Sequence, residues 1–165
     1  MIGILAAITI VSFNGVQQRA NNTAIISSAA SSVKAIQSYI AVTGKYPDSN
    51  YACVSTTVGC SLASTNAVFN TNMATTATPA KSIPISGPDR FGLNYLYDAT
   101  RTFNGSPQPA ALLYWLNGIN QQCGVSGVAF PAFGALTSAT SGYTDGNDAS
   151  MNKTLCVITI AGLSS

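Results

Sequence analysis

From Ile2 to Gly44 the chain contains no proline, and the first one it meets is Pro47. Within that stretch Ile26, Ala29, Val33, Ile36 and Ile40 recur at spacings of three and four, which places them on one face of a helix. Ser27, Ser28, Ser31, Lys34 and Ser38 fall mostly on the other. A helix from about Ile2 to Thr43 would be ~63 Å long at 1.5 Å per residue, longer than a small domain is wide, so half of it is expected to project. Its stop is well marked. Gly44 can take the left-handed cap conformation, Lys45 sits beside the negative helix end, and Pro47 blocks continuation.

The beginning of this helix is of a different character. Met1 to Phe13 (MIGILAAITIVSF) carries no charge, and Arg19 is the first ionised side chain. A bilayer core needs about 20 apolar residues as a helix, so the run reads as a buried helix, a signal-peptide core or the second half of a truncated span. A secretory signal would end in a small-residue cleavage site, whereas helical character here continues past the apolar run without a break.

Composition narrows the functional classes. At 165 residues the chain fits one domain with its own core. Only 7% of residues are Asp, Glu, Lys or Arg, against roughly 25% in ordinary soluble domains. A polar but weakly charged surface suits a subunit that packs against copies of itself. The basic residues Arg19, Lys34, Lys45, Lys81, Arg90, Arg101 and Lys153 are scattered, so dedicated nucleic-acid binding is not indicated. With no histidine and no glutamate, the usual acid–base groups reduce to five Asp, Lys, Tyr and Cys, and an enzyme is not expected.

The cysteines are Cys53, Cys60, Cys123 and Cys156. Their spacing does not suit a zinc site, and disulfides in an oxidising compartment are the better reading. Three connectivities are open. Sequence proximity favours Cys53 with Cys60, and Cys123 with Cys156 then follows, tying a late loop to what reads as the last strand.

Asp48 to about Phe91 is a Ser/Thr/Asn/Ala segment punctuated by Pro79, Pro84 and Pro88 and is read as loop. Strand patterns follow in Leu93-Asn-Tyr-Leu-Tyr-Asp98 and Ala110-Ala-Leu-Leu-Tyr-Trp-Leu116, with the turn signal Asn104-Gly105 between them. Asn117-Gly118 is a second turn signal, and Leu155-Cys-Val-Ile-Thr-Ile160 is a β-branched run suited to a buried strand. Gly124 to Asn152, rich in glycine, is read as mostly loop. The expected class is α+β, with the amphipathic half of the helix covering one face of a small antiparallel sheet.

The run Ile2-Gly-Ile-Leu-Ala-Ala-Ile8, followed by a polar helix closed by Thr43-Gly-Lys-Tyr-Pro47, resembles the N-terminal helix of type IV pilins and type II secretion pseudopilins. The likeness covers about the first 47 residues. It implies a ladle-shaped pilin fold. Residues 1–18 would be the apolar protruding half of the helix, a truncated membrane or filament-core segment. Residues 19–165 would form the globular head, with an αβ-loop at 48–91 and a disulfide-closed C-terminal loop at 123–156. The family carries an aromatic or methionine start and a glutamate about a dozen residues before the Ile-Gly-Ile-Leu motif. The resemblance therefore implies that the first part of the helix lies outside this sequence.

The implied function is a structural subunit that polymerises through Ile2, Gly3, Ile4, Leu5, Ala6, Ala7, Ile8, Ile10 and Val11 into an extracellular filament. It would be anchored in the membrane before assembly and handled by a pilus assembly platform. The alternative is a minor pilin or pseudopilin that primes or caps a filament or acts in type II secretion. Many pilins open their helix near a Gly/Pro-containing stretch. Asn14 and Gly15 are poor helix formers at the matching place, which marks them as the weak point, helical in an isolated subunit.

Smaller signals have bland rivals. Ser31-x-x-Lys34 matches a serine-nucleophile motif without its supporting elements, in a helix rich in serine. Asn21, Asn104 and Asn152 head glycosylation patterns, as chance allows in an Asn-rich chain. The run Thr144-Asp-Gly-Asn-Asp148 reads as an Asx or Asp-Gly turn. Its oxygen ligands Asp145, Asn147 and Asp148 also suit calcium, and the resemblance adds that major pseudopilins hold calcium in their C-terminal loop. No other cofactor is expected.

Overall fold

The computed structural model describes residues 2–47, 51–54, 92–100, 102–103, 106–107, 109–125, 146–148 and 152–160. Among the described residues one helix, α1 (Ile2–Thr43), is followed by seven strands: β1 (Tyr51–Cys53), β2 (Asn94–Tyr97), β3 (Thr102–Phe103), β4 (Ser106–Pro107), β5 (Ala110–Asn117), β6 (Gly146–Asp148) and β7 (Lys153–Ile160). Five strands form an antiparallel sheet in the order β1-β2-β5-β7-β6, and β3 and β4 pair with each other as a separate ribbon. The class is α+β, a helix packed on an antiparallel sheet.

β5 lies at the centre of the sheet and shows why the apolar run Ala110 to Leu116 forms a strand buried on both faces. Ala110, Leu112, Tyr114 and Leu116 join Cys156, Ile158 and Ile160 of β7 in the cluster that receives α1. Ala111, Leu113 and Trp115 lie with Val157 in a second cluster, flanked by Leu96 and Leu155. The alternation follows from the two-residue period of the strand. The β5–β7 register runs from Ala110 opposite Ile160 to Asn117 opposite Lys153, so the two longest strands match over their whole length.

From α1 the stripe Ala29, Val33, Ile36 and Ile40 is buried in the first cluster, and Ile26 packs against it half-buried. Ser27, Ser31, Lys34 and Ser38 are exposed, and Ser28 is half-buried. Ser32, buried among the apolar positions, satisfies its hydroxyl by donating to Ser28 O one turn back, at 2.8 Å. The helix ends as its sequence signals: Gly44 takes φ 67° and donates its N–H to Ile40 O at 2.8 Å. Tyr46 then packs its ring on Tyr97, with centroids 5.8 Å apart, and Pro47 O accepts a hydrogen bond from Tyr95 Oη at 3.1 Å. The Gly-x-Tyr-Pro ending thus caps the helix and docks its exit onto β2.

Cys123 and Cys156 are joined by a disulfide and are fully buried in the helix-facing cluster. Cys53 is also disulfide-bonded; its expected partner Cys60 lies outside the described residues. Tyr114 Oη donates to Cys123 O beside the first bridge. Burial raises the phenol's pKa above the ordinary tyrosine value, so it stays protonated as a donor.

Two readings need correction. The segment from Asp48 to Phe91, read as loop throughout, contributes β1, which pairs with β2 through Tyr51 opposite Leu96 and Cys53 opposite Asn94. A three-residue strand with no alternation of its own is recruited by the free edge of β2, which sequence periodicity cannot show. For the same reason Gly146–Asp148, read within a loop and as part of an Asx turn, forms the edge strand β6 against β7. The ribbon β3–β4 stands where Asn104-Gly105 signals a turn, although those two residues lie outside the described set.

Candidate functional site

The apolar stripe of α1, followed toward the N-terminus from Ile40 through Ile36, Val33, Ala29 and Ile26, next reaches Asn22 and then Gln18. The sheet-facing side of the helix therefore changes from hydrocarbon to amide. Asn22 is only 7% exposed. Its Oδ1 accepts the Asn117 N–H at 2.8 Å and its Nδ2 donates to Asn117 O at 2.9 Å. Gln18 Nε2 donates to the same carbonyl at 2.7 Å.

Strand geometry explains why Asn117 needs these partners. The next residue, Gly118, donates its N–H to Asn152 O at 2.7 Å, toward the β7 side. Successive residues of a strand point their backbone groups to opposite sides, so those of Asn117 point toward the β2 side. β2 has ended by then, its pairing with β5 closing at Asn94 opposite Leu113. The amide of Asn22 supplies the donor and acceptor that a further strand residue would have supplied.

The surrounding contacts extend this clamp into the sheet. Asn22 Nδ2 also reaches Gln121 Oε1 at 3.3 Å. Gln121 N–H donates to Thr154 Oγ1 at 3.0 Å, and Thr154 Oγ1 donates to Gly118 O at 2.7 Å. Lys153 Nζ donates to Asn117 Oδ1. Gly118 takes φ 93°, a conformation that favours glycine, and a Cβ added there would push the Gln18 amide from its place. The turn signal Asn117-Gly118 was legible; its service to the helix was not.

Beside the clamp lies an open groove of about 460 Å³, lined by Arg19, Asn22, Thr23 and Ile26 of α1 and by Leu116, Asn120, Gln121 and Gln122. Among the described residues its lining offers the amides of Asn22, Asn120, Gln121 and Gln122, the Thr23 hydroxyl and the Arg19 cation. It can hold a polar chain or a carboxylate.

Comparisons with known protein families, with curated proteins and with solved structures find no match.

The other expected residues are placed as follows. Ile2, Gly3, Ile4, Leu5, Ala6, Ala7, Ile8, Ile10, Val11 and Asn14 lie in the helical backbone of α1, and only their backbone is described. Gly15 is helical and exposed, and a Cβ there would meet nothing within 4 Å. Among the described residues, no helix is long and apolar enough to cross a membrane. Asn147 and Asp148 lie on β6, paired in register with Thr154 and Lys153, while Asp145 lies outside the described residues. Among the described residues no three His, Cys, Asp or Glu gather as a metal site. Ser31 Oγ donates to Ser27 O at 2.9 Å, a back-bond along its own helix and no arrangement for activating a nucleophile. Thr154, the third residue of the pattern headed by Asn152, is buried and committed to Gly118 and Gln121.

Proposed function

We propose that this chain is a structural subunit of a type IV pilus, polymerising through its N-terminal helix into an extracellular filament and held in the membrane before assembly. The observation that carries this reading is the exposure of α1 at Gly15 to Gln17, between the clamp and the apolar start of the helix. The described stripe that faces the sheet includes Asn22 and Gln18, whereas Gly15, Val16 and Gln17 are exposed, Val16 by 66%. Before them the sequence from Ile2 to Phe13 is apolar and without charge. A helix of that composition needs apolar cover, and on this reading it finds it first in the bilayer and then among its own copies in a fibre core. The head would tile the exterior, a role that suits a surface with few charges and a sheet stapled by the Cys123–Cys156 bridge. The combination of helix, sheet and late disulfide would then form the ladle shape of a pilin.

The test uses cells carrying the complete gene. Shearing their surfaces and sedimenting the released material should give filaments whose main protein is this chain, and Ile4→Asp or Ile8→Asp should abolish them. Presence only as a trace component would make it a minor pilin or pseudopilin. A chain that stays monomeric in cells that assemble other pili would overturn the reading.

A further inference from the structure

Opening of a helix from its end proceeds through whatever is least held. Along α1, Gly15, Val16, Gln17, Arg19 and Ala20 are exposed, Gln18 is half-buried, and Asn22 is the first buried residue after Gly15. Unwinding the exposed Gly15, Val16 and Gln17 breaks only bonds within the helix. Unwinding Gln18 would remove one donor from Asn117 O, and unwinding Asn22 would strip the remaining partner from that carbonyl and the acceptor from the Asn117 N–H. It would also detach Gln121, whose own N–H is tied through Thr154 Oγ1 to Gly118 O. The first step costs little beyond helix propensity, whereas the second orphans backbone groups at the end of the central strand.

We infer that the Gln18–Asn22 clamp on Asn117 is a conformational catch, the point at which loosening of the N-terminal part of α1 stops. Gly15, Val16 and Gln17 bend or unwind while the helix from Asn22 onward and the sheet keep their register. This holds whether or not the chain polymerises, so its failure and that of the filament reading are separate results. The contacts of Gln18 and Asn22 with the Asn117 backbone are made by neutral amides. Their strength is therefore insensitive to salt, unlike a surface ion pair.

Residue-resolved hydrogen exchange on the whole 165-residue chain tests the inference. A helical N–H bonds the carbonyl four residues back, so amides up to residue 21 depend on carbonyls before Gln18. In the parent chain, protection should step upward between residues 21 and 23. Asn22→Ala should move that step about one turn toward Ile26 and speed exchange of amides 22–25 by roughly ten- to a hundredfold. Amides of Leu112 to Leu116 and of Val157 and Ile158 should be unchanged. Gln18→Ala should give a smaller acceleration confined to the same turn, and Gln17→Ala none. Asn22→Asp sets a carboxylate against Asn117 O and Gln121 Oε1 and should loosen the turn more as pH rises through the carboxylate range. Uniform protection across residues 12–30 of the parent chain, or an unmoved step in Asn22→Ala, would overturn the inference. Should Asn22→Ala fail to fold, Gln18→Ala decides it, with unchanged exchange at amides 18–25 as the contradicting result.

Discussion

The two ends of the described contact between α1 and the sheet are built from different materials. Toward Thr43 the helix is held by hydrocarbon: Ile36 and Ile40 lie in the cluster with Tyr95, Leu112 and Ile158, and the exit is docked by Tyr46 on Tyr97. Toward Gln18 it is held by amides that meet one backbone position, Asn117. Apolar contact is strong but tolerant of sliding, because it depends on area and shape more than on direction. Amide pairing is weaker and directional, so it fixes register. A helix gripped in this way is anchored at one end and indexed at the other, and the indexed end faces the segment that the filament reading assigns to assembly.

Substitutions at the two ends should separate these roles. The largest effect is expected at the apolar end. Ile36→Ala removes a fully buried side chain and should cost about 2 to 5 kcal/mol, read as a lower denaturant midpoint for the whole chain. At the indexed end, Gly118→Ala forces a side chain into the left-handed region and against Gln18 Nε2. It should cost about 1 to 3 kcal/mol and speed exchange at Gln18 and Asn22 before any other part of α1. An equal loss of protection at Ile36 would erase the distinction between the ends. The smallest effect lies outside both. Gly15→Ala meets open space in an exposed turn and should stabilise the helix by about 1 kcal/mol, visible as slower exchange at residues 15–19 with the midpoint of the sheet unchanged.

Much of the anchored end was legible in the sequence, because it rests on periodicity. Ala29, Val33, Ile36 and Ile40 announce a face, Gly44 and Pro47 announce a stop, and the runs around Leu112 and Ile158 announce apolar strands. The late disulfide followed from proximity. The indexed end was hidden because its residues are polar and read singly as surface. Asn22 and Gln18 do continue the apolar stripe at steps of four, and a polar residue on a buried stripe was the available signal. The strands β1 and β6 were hidden for another reason. Three residues carry no period, and each is a strand only because a neighbour leaves its edge open.

The central claim is that α1 is divided near Gln18 into a part held by the sheet and a part kept for assembly. Thiol labelling of Val16→Cys, with Thr100→Cys as the reference, tests it most directly, since both parent residues are exposed. In dispersed subunits both thiols should react with a maleimide at similar rates. In assembled filaments the account expects Val16→Cys to lose most of its reactivity while Thr100→Cys keeps its own. Equal labelling of the two positions in the assembled state would contradict it.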